Sequence, residues 1–232
     1  MAAPVVQSNH AEAGGGITST NVSLTGVTAA ATLILVLSLS PSTASVTPTI
    51  TASSNVDGAF TSDVAFYSDD STNFRNGVGF LSLQNATSGS HTVTVNSSTS
   101  LDGLSVYLME MPSGYALDGT PATNKALSTT SVTVSGYTPS TTACVFVAGM
   151  EAGNDNPAGL SNPPSGWTSE YAQQNGATVA QFAPLVVALK NATTGAQSAT
   201  VTWTSSRTGY AAIAGYVQAA GGPSNVIAWV TA

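Results

Sequence analysis

Hydrophobic residues along the chain either alternate with polar residues or fill short uninterrupted runs. TVTV from Thr92 and ATVTW from Ala199 alternate, as strands with one solvated face do. AAATLILVLSL from Ala29 and ACVFVAGM from Ala143 are almost wholly apolar, which is typical of buried strands. No segment has a convincing apolar period of 3.6 residues, so the pattern predicts an all-β protein.

Two segments of the chain recur in the same order. NVSLTGVTAAATLILVLSLS from Asn21 matches SVTVSGYTPSTTACVFVAGM from Ser131 with a constant offset of 110 residues (131 − 21). NATSG from Asn85 then matches NATTG from Asn191 with an offset of 106 residues (191 − 85). Matches in order, separated only by changes in loop length, indicate duplicated units. Asn, Thr and Gly in the repeated phrase suit a hairpin turn.

The repeat predicts two domains, at 1–114 and 115–232. Strands at intervals of roughly 8–12 residues with turn residues between them indicate β-sandwiches. We therefore expect two tandem antiparallel β-sandwich domains formed by internal duplication, with either jelly-roll or immunoglobulin-like strand order. The apolar segment NVIAWVTA predicts a last strand at about 225–231. This strand either closes the second sandwich or pairs with an edge strand of a neighbouring subunit.

The charge balance excludes several classes of partner. The 232 residues include 4 Lys and Arg against 11 Asp and Glu, for a net charge of −7. Four cations cannot form the basic face that nucleic acids or anionic membranes attract. The longest apolar run is shorter than the ~20 residues that span a bilayer. MAAPVVQSNH has neither a basic n-region nor an apolar h-region. We expect no nucleic-acid partner, no membrane insertion and no signal peptide.

The residues that carry most enzyme chemistry are scarce. Two histidines and one cysteine supply neither a disulfide nor a zinc ligand set. Cys144 lies in an apolar strand, where a buried thiol is inert. Asp69 and Asp70, like Glu151 and Asp155, lack the spacing of a calcium loop and are interpreted as solvated loop residues. No G-x-S-x-G motif occurs. We predict no catalytic, cofactor-binding or metal-binding residues, no cofactor, and no enzymatic activity.

Aromatic residues are the remaining candidates for binding. PPSGWTSEY from Pro163 contains Trp167 and Tyr171, and the last predicted strand contains Trp229. If exposed, Trp167 and Tyr171 would stack on sugar rings; alternatively, Trp167 is a core residue that begins a strand, which we prefer. Trp167, Tyr171 and Trp229 are therefore the candidate ligand or partner contacts.

The order of these segments resembles a known style of domain. SVTVSG, CVFVAGM, PPSGWT and LVVALKNATTGAQSATVTWTSSRTGYAAIAGY follow one another from Ser131 to Tyr216. This order is similar to β-sandwich repeats in tail, spike and decoration proteins of bacteriophages and in some bacterial surface proteins. From Val22 to Tyr107 the likeness is looser, and no PPSGWT loop is evident. The resemblance implies a structural role on a symmetric particle and supplies no residue with a defined role.

We therefore expect a non-catalytic structural protein of a virus particle, a bacteriophage by resemblance, that decorates the capsid or forms part of the tail. Its location would be the virion surface after synthesis in the host cytoplasm, and its partners other virion proteins and copies of itself in a homo-oligomer. The alternative is a carbohydrate-binding or adhesin module that attaches to host-surface glycans. A β-sandwich enzyme with a site that leaves no sequence motif, and a bacterial surface or filament subunit, are further alternatives.

Overall fold

The structure, a computed structural model, describes residues 4–43, 46–69, 75–152, 163–172 and 183–219. All the regular secondary structure in these ranges is β-strand, so the predicted all-β class is confirmed. Each half of the chain forms one antiparallel sheet. The strands of the first sheet are β1 (Gln7–Val27), β2 (Ala31–Pro41), β3 (Ile50–Ser54), β4 (Gly58–Ala59), β5 (Thr61–Asp69), β6 (Arg75–Ala86) and β7 (Gly89–Met111). Those of the second are β8 (Tyr115–Tyr137), β9 (Ala143–Ala152), β10 (Thr168–Ala172), β11 (Val186–Ala192) and β12 (Gln197–Gln218).

The two sheets share an order of strands. In the first sheet the order is β1-β7-β2-β6-β5, with β3 and β4 added alongside β7. In the second sheet the order is β8-β12-β9-β11-β10. The long strands β1 and β8 therefore occupy one edge of their sheets, and the short strands β5 and β10 occupy the other. The predicted boundary between 114 and 115 lies in the turn that connects β7 to β8.

Each sheet curves over one of its own faces. On one side, β7 pairs with β1 along its length. On the other side, its first part, including Val93 and Val95, pairs with β3, and its last part, from Leu101, pairs with β2. Side chains from both parts meet in one core with the odd-numbered leucines of β2. The second sheet has a corresponding core that includes Val145 and Val201.

The apolar strand β2 is buried on both faces. Leu33, Leu35, Leu37 and Leu39 point into the core of the first sheet. The intervening Ile34 and Val36 point to the opposite face, into a different core. A strand covered on both sides has no solvated positions, which explains the lack of alternation in TLILVL. Each fully buried leucine contributes roughly 1.5–3 kcal/mol to folding.

A third core joins the two sheets and changes the predicted arrangement. Phe80, Tyr107 and Met109 of the first sheet pack against Phe146 and Tyr216 of the second, among other residues of both halves. Tandem sandwiches connected only by a linker would lack such a core. The two curved sheets instead lie face to face, so each half buries one face in its own core and another against its neighbour.

A buried polar contact also crosses this interface. Ser38 and Ser105 are opposite each other on β2 and β7. Both hydroxyls donate to the backbone carbonyl of Ala183 in the second half, each at 2.7 Å. A buried carbonyl with two acceptor positions is thereby satisfied, and the two hydroxyls are not left unpaired in an apolar region.

The repeated phrase forms a turn in both halves. Asn85 has φ of 57°, a left-handed conformation that asparagine tolerates better than most residues. Gly89 and Gly195, which end the two phrases, have φ of 129° and 126°. Side chains rarely adopt this conformation, so glycine is required at both positions. The predicted turns thus connect β6 to β7 and β11 to β12.

Candidate functional site

Two acidic residues occupy corresponding bulges on the short edge strands. On β5, Ser62 pairs with Leu81 and Val64 pairs with Phe80, which leaves Asp63 as an extra residue. On β10, Ser169 pairs with Ala188 and Tyr171 pairs with Val187, which leaves Glu170 as an extra residue. A bulge re-aims a side chain relative to the regular alternation of a strand. Both sheets use this device to position a carboxylate.

Asp63 of the first sheet accepts a hydrogen bond from the second. The hydroxyl of Tyr216 on β12 donates to Asp63 Oδ2 at 2.7 Å. Ser82 also donates to the Asp63 carboxylate, but burial has the larger effect and raises the pKa of Asp63 above its usual value. Burial and the neighbouring carboxylate together raise the pKa of Tyr216 far above that of a free phenol. Tyr216 therefore keeps its proton and acts as a hydrogen-bond donor.

Glu170 of the second sheet contacts a tyrosine of the first sheet, which is the reverse of the Asp63–Tyr216 arrangement. The hydroxyl of Tyr107 on β7 lies 3.2 Å from the Glu170 carbonyl oxygen and 3.4 Å from Glu170 Oε2. Burial raises the pKa of Glu170 despite the hydrogen bond from Tyr107. Burial also raises the pKa of Tyr107 to about 12, with a further contribution from the Glu170 charge. These pairs hold the interface at two places, and their phenols are too weakly acidic to exchange protons near neutral pH.

Tyr171, a predicted contact residue, lies in an aromatic group between the two sheets. Its ring stacks on the Tyr107 ring with centroids 5.1 Å apart. The imidazole ring of His10 on β1 is tilted against the Tyr171 ring, with centroids 4.9 Å apart. The Tyr171 hydroxyl donates to Glu12 Oε1 at 2.6 Å. Tyr171 is half-buried, so its ring serves contacts within the chain. It does not form an open platform for a sugar.

Trp167, a second predicted contact, is a core residue with only 6% of its surface exposed. It packs in the core of the second sheet, and the Lys190 ammonium lies 4.7 Å from its ring centroid. The buried indole is not presented at the surface, in agreement with the interpretation of Trp167 as a core residue. Trp229, the third predicted contact, and the predicted last strand at about 225–231 lie outside the described residues.

An open polar cavity lies beside Asp63. Its volume is about 420 Å³, and its lining residues are Ala59, Thr61, Asp63, Ser82, Leu83 and Gln84. Thr61 and Ser82 are opposite each other on β5 and β6, so the paired strands form the wall that carries the hydroxyls. The bulge places the carboxylate in the same wall.

The fold also brings together a serine, a histidine and an aspartate that lie apart in the sequence. Ser54 Oγ lies 2.9 Å from His91 Nδ1, and Asp57 Oδ2 lies 3.6 Å from the same nitrogen. His91 Nε2 lies 2.7 Å from the Thr87 carbonyl oxygen, so Nε2 carries a proton and donates it to this carbonyl.

This arrangement does not have the geometry of a nucleophilic triad. In a triad the nucleophile and the acid contact opposite nitrogens of the imidazole. Here both lie at Nδ1, and the other nitrogen is taken by a carbonyl. Ser54 is only 6% exposed, and its oxygen also accepts from the Val56 amide at 3.1 Å. The group connects the turn after β3 to β7 and does not present a nucleophile.

The acidic residues and the cysteine considered for metal binding or catalysis form the last group of candidates. The described residues contain no group of three or more His, Cys, Asp and Glu side chains that could hold a metal ion. Asp70 and Asp155 lie outside them, as does the side chain of Asp69. Glu151 is buried in β9, so its interpretation as a solvated loop residue is wrong. Burial, together with the Glu170 charge, raises the pKa of the Cys144 thiol to about 12. Such a thiol is a poor nucleophile.

The acidic bulges also have a repeated signal in the sequence. A buried aromatic residue precedes each edge strand, followed by Thr, Ser and the acid at an offset of 107 residues (167 − 60). The two copies are Phe60-Thr61-Ser62-Asp63 and Trp167-Thr168-Ser169-Glu170. The first half therefore has a counterpart of the WTSE stretch, although it lacks the PPSG segment that precedes this stretch in the second half.

Comparisons with known proteins add little. No protein-family model matches the chain, and no curated protein matches it. Among solved structures, the CUB1-EGF-CUB2 domain of human MASP-1/3 aligns with 89% of this chain and 99% of its own, at 8% identity and a TM-score of 0.26. A likeness of this degree carries no argument. Among the residues described, no helix has the length and apolarity needed to cross a membrane.

Proposed function

We propose that the chain is a non-catalytic structural protein of a virus particle, a bacteriophage by resemblance, and decorates the capsid or forms part of the tail. The observation that carries the proposal is the pair of long edge strands, β1 and β8, of 21 and 23 residues. Within the described residues each pairs with a strand on one side only. Unpaired strand edges offer backbone groups to neighbouring subunits.

Rigidity supports the same role. The shared core and the two tyrosine–carboxylate pairs hold the sheets together, so the edge strands belong to one body. Only 6% of the residues are charged, so few contacts through these edges involve the ion pairs that salt screens. The common strand order and the repeated segments support an origin by internal duplication, with units at 1–114 and 115–232.

The partners of such a protein are other virion proteins and copies of itself, and its location is the virion surface. Leu127 on β8 is 53% exposed and marks one candidate contact. The mass of the purified chain, measured by light scattering at several concentrations, tests self-association. We expect a discrete trimer, pentamer or hexamer. A monomer at every concentration would contradict the homo-oligomer.

Edge variants locate the contact. Asn21→Lys on β1 and Leu127→Lys on β8 place a charge on an edge strand, which opposes pairing with another chain. Asn96→Lys is the matched control, because Asn96 is exposed on β7 but pairs on both sides, with Ser19 and Thr51. The edge variants should shift the mass towards the monomer, and the control should not. Equal effects of all three would rule out edge pairing.

A further inference from the structure

The cavity beside Asp63 has the size of a small-molecule site. Its volume of about 420 Å³ lies within the range of roughly 300–1,000 Å³ typical of ligand pockets. It opens at the edge of the first sheet, where β5 has a strand partner only on its β6 side among the described residues. A ligand can therefore enter without disturbing the pairing of β5 and β6.

The Asp63 carboxylate is fixed but not saturated. Tyr216 donates to one oxygen at 2.7 Å, and Ser82 donates as well. A carboxylate has about four acceptor positions, so about two remain for a ligand. Because the tyrosine and the bulge hold the group in place, a ligand that binds it loses little to ordering.

The remaining polar groups in the wall both donate and accept hydrogen bonds. Thr61 supplies a hydroxyl and Gln84 a side-chain amide, and both residues are exposed. Ala59 adds an exposed aliphatic surface, whereas Leu83 is buried in the core of the first sheet. No Lys or Arg is among the residues that line the cavity, so an anion has no counter-charge there. The single carboxylate is too few for a cation that needs six to eight oxygens.

The acidic bulge of the second sheet has different neighbours. Around Glu170, the rings of Tyr107 and Tyr171 stack 5.1 Å apart. At the position equivalent to Tyr171, the first half has Val64, which is buried in the shared core. The two copies of one acidic bulge have thus diverged. The Glu170 copy carries an aromatic stack, and the Asp63 copy borders a cavity.

We propose that this cavity binds a neutral polyhydroxylated ligand of monosaccharide size, with Asp63 accepting from two of its hydroxyls. Thr61 and Gln84 would complete the set of hydrogen bonds, and Ala59 would contact an aliphatic part of the ligand. This inference goes beyond the structural role and does not depend on it. It also differs from the sugar site first expected at Trp167 and Tyr171.

Nuclear magnetic resonance of the isotope-labelled chain tests the proposal. The probes are glucose, galactose, mannose and N-acetylglucosamine, each as the free sugar and as its methyl glycosides. We expect at least one to give saturable shifts of the Thr61, Ser82 and Gln84 amide signals. Binding of a methyl glycoside identifies the terminal sugar of a glycan as a possible source, whereas binding of the free sugar alone identifies a free sugar.

Two carboxamide variants supply the comparison. Asp63→Asn keeps an acceptor for Tyr216 but removes the charge, so the Kd should rise about tenfold or more. Glu170→Gln removes the matching charge at the other bulge and should leave the Kd unchanged. Three results would overturn the proposal: no saturable shift with any probe, equal effects of both variants, or the same shifts on addition of Ca²⁺ alone.

Discussion

Tyr216 of the second sheet donates its hydroxyl proton to Asp63 of the first sheet at 2.7 Å. The donor and acceptor roles are exchanged in the other pair, where Tyr107 of the first sheet donates to Glu170 of the second. Each carboxylate lies at a bulge of a short edge strand. Tyr107 lies on β7 and Tyr216 on β12, the long strands that pair with β1 and β8. The contact between the sheets is therefore reciprocal.

Removal of the Tyr216 hydroxyl should destabilise the chain. Tyr216→Phe leaves the partly buried Asp63 carboxylate without its main donor, which costs about 1–3 kcal/mol. Asp63→Asn should cost less, because the amide oxygen still accepts. Urea unfolding of both variants and of the double variant measures the coupling, expected at about 0.5–3 kcal/mol. Strictly additive costs would show that the two groups do not interact.

A change of pH should alter the contributions of Asp63 and Asp118 to the free energy of unfolding in opposite directions. Burial raises the pKa of Asp63, so its protonated form is favoured by folding. Its contribution to stability is present below the unfolded pKa of 3.8 and is lost as the pH rises through the higher folded value. Unfolding free energies of the wild type minus those of Asp63→Asn should fall across this window. A difference that rises with pH would contradict the assignment.

Asp118 provides the opposite case. Burial alone would raise its pKa, but hydrogen bonds from Ser140 and Tyr137 outweigh burial and lower it. Stability from Asp118 is therefore present above 3.8 and is lost as the pH falls through the lower folded value. The hydrogen bonds are 2.8 Å from the Ser140 amide and 2.9 Å from the Tyr137 hydroxyl. The same difference measured with Asp118→Asn should rise with pH.

The strand content could be predicted from the sequence because alternation and turn residues are local signals. The shared core could not, because Ile34 and Leu35 are chemically alike while they face different cores. An apolar run indicates burial on both faces and does not identify what covers each face. The acidic bulges could not be predicted from the sequence for another reason. One extra residue interrupts the alternation at Asp63 and Glu170, and the repeated Thr-Ser-acid stretch is only three residues long.

Gly209 should not tolerate a side chain. A Cβ at this position would overlap the Trp203 ring, well inside van der Waals contact. The ring cannot easily move, because its Nε1 donates to the Thr129 carbonyl at 2.8 Å. Gly209→Ala should therefore destabilise the chain by about 1–3 kcal/mol, as overpacking does. Urea unfolding measures the cost.

The background Trp203→Leu separates the clash from other effects of the substitution. In this background the ring is gone, so adding Ala at position 209 should cost much less than in the wild type. An equal cost in both backgrounds would place the strain in the backbone. The clash with Trp203 would then not be its cause.

Cys144 can report whether the two halves unfold together. Its side chain is 2% exposed in the core between the sheets, and burial raises its pKa to about 12. A thiol reagent should therefore label native protein only after an opening that separates the sheets. Under conditions where reclosing is fast, the labelling rate should give the free energy of global unfolding measured in urea. Labelling much faster than this would show that the sheets separate locally.

Leu35→Ala tests this coupling from the other half of the chain. Leu35 lies in the core of the first sheet and belongs to a different cluster from Cys144 of the second. The substitution should cost about 2–5 kcal/mol of stability. Because the third core joins the sheets, the labelling of Cys144 should accelerate by a factor that matches this whole cost. If labelling instead follows a local separation of the two folded sheets, the first sheet will lose stability while Cys144 is labelled at the wild-type rate.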